Sequence, residues 1–393
     1  ARARPAILVV TTPARGRAAV QDAAARPSAR MTVSCDAEVE QDVVLRSRQV
    51  SERYALTDRV IFRDLASTIL LAFDRSEPSF QVVVKVVMKR SFDTEQERKS
   101  ALAELAIHSS MPPHPNVIRL LASEETPEAV LIVTPYTPHG DLWALMRYGQ
   151  TYCEAQVRNC AAQMLSAVRH LHDVCGLIHA DVKPHNFLLF RKQKHYLVQL
   201  CDFGLAEAPE PGGEVTFYVI RGTSGWFAPE MLQHRNYSYQ IDLFGVGLIV
   251  FRMLGGYAPF DPPSKFQSRV EYDDRCWCHI GQVCQHFISK LLSLEPNERG
   301  TAAEALEHEW IRGPEPPDPS LEQLEALSAY GPPPNCQVRF WPAGMFPEAH
   351  SHSHAHCENG LFLRAEPVKG ILYDDYDSER SGITPQSPPN SPF

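Results

Sequence analysis

His179, Asp181, Lys183 and Asn186 fall within eight residues in LIHADVKPHNFLL (177–189), a polar cluster between apolar runs. A carboxylate, an ammonium group and an amide held together could orient a hydroxyl, take its proton or ligate a hard cation through oxygen. A plain surface loop tolerates such a cluster as well. The reading therefore turns on whether other segments supply partners, and several do. In chain order they are a lysine on an apolar run (VVVK, Lys85), an acid further on in a helical pattern (Glu104), the HADVKPHN loop, DFG (202–204) and APE (228–230).

The elements that must position these groups are readable from periodicity. QVVVKVVM (81–88) is β-branched and apolar and reads as a buried strand. DTEQERKSALAELAIHSSM (93–111) has helical spacing and an acidic start that suits the helix dipole. LIVTPY (131–136) reads as a strand stopped by Pro135. In CEAQVRNCAAQMLSAVRHLHDV (153–174), Val157, Cys160, Ala161, Met164, Leu165, Val168 and Leu171 share one face of an amphipathic helix. YLVQLCDFGLA (196–206) is a strand ending in an acid and a glycine, and helices dominate afterwards at 241–254, 283–292 and 301–310. Strands early and helices late predict an α+β fold of two lobes.

The bulk properties exclude several classes. The chain has 393 residues, 44% of them hydrophobic, enough for a sizeable core. A net charge of −9 with scattered basic residues gives no nucleic-acid footprint. Ten cysteines placed mostly in apolar segments read as buried free thiols, which favours an intracellular, cytoplasmic setting. No run is long enough to span a bilayer. Residues 1–50 are rich in Ala and Arg without sustained periodicity and are expected to be a disordered tail. The Arg-rich, acid-poor start is also how organellar transit peptides read. Residues 314–393 are Pro-rich and expected to be mostly disordered, apart from a short helix at 320–330.

The five elements, in this order and at workable spacing, resemble the protein kinase superfamily over about 51–313, with a small lobe at about 51–134 and a larger one at about 138–313. The resemblance implies a bilobal protein kinase fold and transfer of the γ-phosphoryl group of ATP to a protein hydroxyl. That reaction needs positioning and charge neutralisation more than covalent chemistry. It implies that Lys85, held by Glu104, would hold the α- and β-phosphates, that Asp181 would be the base, and that Asn186 and Asp202 would ligate Mg²⁺, with Mn²⁺ as a substitute. Lys183, two residues after the base, resembles the serine/threonine type, and Thr223 is placed to contact the base. Nucleotide-facing positions by the same resemblance are Ile61, Ile69, Thr134, Tyr136, Asp141 and Leu188. Glu230 would pair with Arg299, and Asp242 would prop the catalytic loop.

Two departures bear on function. Phe62, Asp64 and Ser67 stand where kinases carry three glycines, whose backbone N–H groups approach phosphate without a Cβ in the way. A pseudokinase scaffold with weakened ATP binding is therefore the second reading. Ala180, in HAD, cannot pair with a phosphorylated activation segment as the usual arginine does. The run YDDRCWCHIGQVCQHFISKLLSLEPNERGTAAEALEHEWI is similar to the C-terminal lobe of the calcium/calmodulin-dependent kinase group. No EF-hand loop is present, the 320–330 segment is acidic, and any regulatory partner is expected at the C-terminal tail. CWCHIGQVCQH (276–286) and HSHSHAHC (350–357) could be read as metal sites, although buried cysteines acting as small hydrophobes explain the first better. Thr384, Ser387 and Ser391 precede prolines and are candidate sites for a proline-directed kinase. His185, just before Asn186, predicts no strong preference for basic substrates.

Overall fold

Alternation along QVVVKVVM organises the first lobe. In the computed structural model, which describes residues 10–11, 35–63, 67–91, 95–146, 152, 154–192, 195–211, 213–217, 220–260 and 270–314, Val82, Val84 and Val86 are fully buried on one face. Val83 and Lys85 are half-buried on the other, because successive side chains of a strand point to opposite faces. A two-residue strand, β1 (Val10–Thr11), pairs elsewhere, with β9 (Arg221–Gly222). The main sheet comprises β2 (Tyr54–Arg63), β3 (Ser67–Asp74), β4 (Gln81–Met88), β5 (Ala122–Glu125) and β6 (Ala129–Pro135), in the order β2-β3-β4-β6-β5 with every neighbour antiparallel.

The two faces of this sheet are covered differently. On one, Val87, Val130 and Ile132 pack against Leu102 and Leu105 of the helix Glu95–Ser110. On the other, Leu70, Val82, Val84, Val86, Leu131 and Val133 are covered by Val43, Val44 and Val50, which belong to α1 (Cys35–Arg46) and α2 (Gln49–Arg53); the helix Glu95–Ser110 is thus α3. The expectation that residues up to 50 form a disordered tail is corrected for residues 35–50. Three valines are too few to register as a periodic stripe, and it is the apolar back of the sheet that gives them something to bury against. Glu124 of β5 fixes this cap. Its carboxylate accepts the N–H groups of Arg48 (2.7 Å), Gln49 (2.8 Å) and Val50 (3.0 Å), which are orphan donors of the α2 start. Burial works to raise its pKa, and the three donors outweigh that and lower it. At the far end, Arg63 Nη2 donates to Glu40 Oε2 of α1 at 2.6 Å and Arg63 Nε donates to Thr68 across the β2–β3 hairpin.

The second lobe is helical. It contains α4 (Leu142–Met146), α5 (Glu154–Arg169), α6 (Pro229–Leu232), α7 (Gln240–Gly255), α8 (Asp274–Trp277), α9 (Gln282–Leu291), α10 (Pro296–Arg299), α11 (Ala302–Leu306) and α12 (Glu309–Arg312), with a small hairpin of β7 (Phe187–Lys192) and β8 (His195–Leu200). The predicted face of α5 is buried throughout, and α7 is buried almost all round, as a helix in the middle of a core must be. The helix expected over 301–310 is broken in two. Thr301 and Glu304 form a capping box for α11, and the His308 side chain accepts the Trp310 N–H to start α12, which turns Trp310 into the core. Cys276 and Cys284 are buried and Cys278 is exposed; among the described residues no group of three or more His, Cys, Asp or Glu could hold a metal. The 320–330 segment, HSHSHAHC and the three Ser/Thr-Pro sites lie outside the described residues. Among the described residues no helix is long and apolar enough to cross a membrane.

Val44 is 1% exposed and its neighbour Leu45 is 57% exposed. Val44→Ala should destabilise the protein by roughly 1–3 kcal/mol, the transfer and cavity cost of two buried methyl groups. Leu45→Ala should leave the melting temperature within error. Equal, negligible shifts for both variants would show that α1 does not pack on the sheet.

Candidate active site

Strand parity directs Lys85 into the cleft between the lobes, where Nζ donates to Glu104 Oε1 (2.7 Å) and Oε2 (3.0 Å) and to Asp202 Oδ1 (3.1 Å). Glu104 lies in the middle of α3. Burial opposes the charge on Lys85, but Asp202 and Glu104 together outweigh it and hold its pKa above the ordinary lysine value. The Lys85 ammonium holds the Asp202 carboxyl down to about 2 against its burial. Asp202 is therefore anionic at any physiological pH, as an oxygen ligand for a divalent cation has to be.

The loop 178–186 is anchored from below. Asp242, in the first turn of α7 and 1% exposed, accepts His179 N–H (2.8 Å) and Ala180 N–H (3.0 Å), and His172 Nε2 donates to the same carboxylate (2.8 Å). Those bonds hold Ala180 at φ 61°, a left-handed conformation that costs a residue with a Cβ roughly 1–2 kcal/mol. Asp202 is likewise left-handed, at φ 67°. The turn presents Asp181 upward. Lys183 Nζ donates to Asp181 Oδ2 (2.5 Å) and to Thr223 Oγ1 (2.6 Å), and the Thr223 hydroxyl donates to Asp181 Oδ1 (2.9 Å). Asn186 Nδ2 donates to the Asp181 carbonyl (2.9 Å), which leaves Asn186 Oδ1 as the atom a hard cation would take. Phe203, 1% exposed, lies between His108 of α3 (centroids 5.0 Å apart, rings tilted) and His179 (5.7 Å, edge to face), so a column of rings joins α3 to the loop.

Sequence reasoning missed several contributors. Gly222 has φ 118°, and a Cβ there would meet Phe227 at 3.0 Å, the Ala180 carbonyl at 3.3 Å and Asp181 Oδ1 at 3.4 Å. Only glycine lets Thr223 come this close to the loop. Gly245 of α7 would drive a Cβ to 2.7 Å from the Val182 carbonyl. Val83, two residues before Lys85 and on its face, was legible from period two; His172 carried no local signal, because its partner is 70 residues away.

The nucleotide-facing positions divide. Ile69 stands opposite Lys85 in the sheet. The pairing of β2 with β3 runs from Val60↔Leu70 to Phe62↔Ile69, so Ile61 is the extra residue of a bulge and Phe62 takes the place opposite Ile69. Asp64 lies outside the described residues. Thr134 pairs with Val83 at the end of β6. Tyr136 follows it, but its N–H already donates to the Gln81 carbonyl (3.0 Å) and is not a donor for a ligand. Asp141 Oδ1 accepts Ala144 N–H (2.8 Å) and so caps α4, and Leu188 is bridged to Asp141 from β7.

The segment after DFG is held without an arginine from the catalytic loop. Glu207 bridges to Ile178 and accepts the Tyr237 hydroxyl (2.6 Å), Val215 bridges to Tyr237, and Phe217 N–H donates to Asn236 (3.1 Å). Glu230 and Arg299 form a buried bidentate pair (2.7 and 2.8 Å), and Arg299 also lies over Phe244.

Protein kinase domain is the family description that matches residues 66–311. The chain belongs to the protein kinase family. It is 28% identical over 271 residues to calcium/calmodulin-dependent protein kinase type 1 of Macrobrachium nipponense, covering 66% of this chain and 76% of that protein. It is 33% identical over 205 residues to the calcium/calmodulin-dependent protein kinase type II alpha chain of Drosophila melanogaster (50% and 38%), and 29% identical over 254 residues to myosin light chain kinase A of Dictyostelium discoideum (63% and 84%). Its kinase domain is similar to those of calcium/calmodulin-dependent protein kinases, and the protein kinase family uses ATP, a divalent metal and protein substrates.

Asp242→Asn in this kinase keeps the volume but turns one acceptor into a donor facing N–H groups. Each buried N–H left without an acceptor costs roughly 1–3 kcal/mol. A lower melting temperature and at least tenfold slower phosphotransfer are expected; wild-type values for both would mean that the loop does not hang on this carboxylate.

Proposed function

We propose that the kinase transfers the γ-phosphoryl group of ATP to serine and threonine hydroxyls of proteins, with Mg²⁺ as the metal and Mn²⁺ able to replace it. The observation that carries this reading is the convergence of Lys183 and Thr223 on the two oxygens of Asp181. Asp181 would orient the acceptor hydroxyl and take its proton, while Lys183, within reach of the same carboxylate, would neutralise charge on the moving phosphoryl group. Lys85, fixed by Glu104, would hold the α- and β-phosphates, and Asn186 Oδ1 with Asp202 would hold the metal. Ile69, Thr134 and Leu188 would enclose the nucleotide base. When bound, the metal supplies neutralisation of the phosphate oxygens.

The glycine-free hairpin is what favours the second reading, a scaffold that holds nucleotide without transfer. Against it, Lys85, Glu104, Asp181, Asn186 and Asp202 are all present and joined by hydrogen bonds, which a scaffold does not need. Contacts of Glu207, Val215 and Phe217 with 236–237 support activity that does not wait for phosphorylation of this segment. Relatives named for calcium and calmodulin make a regulatory partner acting through the C-terminal tail a reasonable extension, and the free thiols are consistent with a cytoplasmic location.

The test is phosphotransfer from labelled ATP to a mixed serine/threonine substrate with Mg²⁺ and, separately, Mn²⁺. Asp181→Asn should reduce the rate by about 10²–10⁴-fold, the usual weight of a positioned general base, and Lys85→Met should raise the KM for ATP and lower kcat. A parent protein no faster than Asp181→Asn, yet stabilised by ATP in a thermal shift, would establish the scaffold instead.

A further inference from the structure

A half-buried cation near the substrate side of the site, its Nε out of reach of water, has no anion among the described residues. Arg252, in the last turn of α7, lies with its guanidinium carbon 4.4 Å above the Trp226 ring. Its Nε is buried without a hydrogen-bond acceptor, and among the described residues no carboxylate lies within ion-pair distance. Burial lowers its pKa to about 10, so the group is still charged at neutral pH. Every other buried or half-buried arginine discussed above has a carboxylate: Arg63 has Glu40 and Arg299 has Glu230.

The guanidinium lines a shallow pocket open to solvent, whose other walls include Gly225, Phe227, Leu248, Pro259 and Phe260. A second shallow pocket is lined by Asp181, Thr223, Trp226 and Phe227. The two share Phe227, and Trp226 lines one while stacking on the arginine that lines the other. A polypeptide whose hydroxyl reaches Asp181 therefore crosses this loop with its neighbouring residues beside Arg252. Gly225 adds no side chain to bar the way, and His185, stacked on Trp143, adds no negative charge on the loop below. Apolar walls strengthen whatever electrostatic contact forms inside them. A planar fork of N–H donors matches a carboxylate or a phosphoryl group two bonds at a time.

We propose that Arg252 is a specificity-determining residue that receives an anionic side chain of the protein substrate, within a few positions of the acceptor serine or threonine. The inference rests on the proposed transfer to protein hydroxyls and adds the substrate class: acceptors with an acidic or already phosphorylated neighbour. An unpaired buried charge is costly, and an incoming anion removes that cost only in the substrate complex, so the arrangement discriminates against lysine and arginine at the same position as well as favouring acid.

The test is a positional-scanning peptide array on the full chain, with Asp, Glu, phosphoserine, Lys and Ala at each position around the acceptor, repeated with Arg252→Gln and Arg252→Glu. The reading is the ratio of anionic to Ala peptide within each protein, which does not depend on how active each variant is. The parent should favour an anion by about tenfold at one position or more, the weight of one charge-assisted hydrogen bond. Arg252→Gln should bring the ratio close to one, and Arg252→Glu should invert it in favour of Lys. Phosphoserine ahead of Asp and Glu would identify the anion as phosphate, and the reverse order as carboxylate. A parent indifferent to charge, or a preference that survives in both variants, overturns the proposal. If the parent labels no peptide at all, transfer itself has failed. Fluorescence anisotropy with the acidic and Ala peptides on parent and Arg252→Gln then decides the anion site separately, and equal binding in all four pairs overturns it.

Discussion

A buried carboxylate at the start of α7 carries the catalytic geometry. Asp242 is withdrawn from water, so its charge is tolerable only because His179 N–H, Ala180 N–H and His172 all donate to it. Those same bonds keep Ala180 in a left-handed conformation, and that turn is what lifts Asp181 toward the cleft. The helix that supplies the carboxylate is itself immobilised by burial on all sides and by Gly245, whose missing Cβ lets Val182 rest on it. Strain in the loop is thus borne by the most deeply packed helix of the second lobe.

From this anchor the two lobes are joined along separate routes. One is a column of rings, His179 to Phe203 to His108, that ends on α3. The other is the Lys85 ammonium, which touches Glu104 of α3 and Asp202 of the second lobe at once. Both routes meet α3, so its position is over-determined, and the sheet above it is in turn backed by α1 and α2. The hairpin without glycines sits within this frame. Arg63, at the turn end of β2, donates to Glu40 and Thr68, so the N-terminal helix α1 takes part in holding the hairpin.

The segment after DFG shows a related economy of charge. With alanine in place of a basic residue at 180, nothing in the catalytic loop asks for a phosphate, and the segment is instead tied to 236–238 by Tyr237, Asn236 and backbone bridges. A positive charge without a carboxylate among the described residues lies instead at Arg252, against the Trp226 ring.

Residues whose roles are set by local spacing were legible in the sequence alone: Asp181, Lys183 and Asn186 share one tight loop, Asp202 and Phe203 follow one strand, and Lys85 has its face assigned by period two. The type of each main element was legible for the same reason, since a buried face leaves a repeat of two or of about three and a half residues. What tertiary structure alone decided are matters of long-range partnership. It joined Lys85 to Glu104, packed residues 35–50 onto the sheet, placed the bulge that puts Phe62 rather than Ile61 opposite Ile69, and engaged the Tyr136 N–H with Gln81. It also broke 301–310 into two helices and left Arg252 without a carboxylate among the described residues. Each of these depends on which surface a side chain or N–H group meets tens of residues away, and a local pattern contains no record of that meeting.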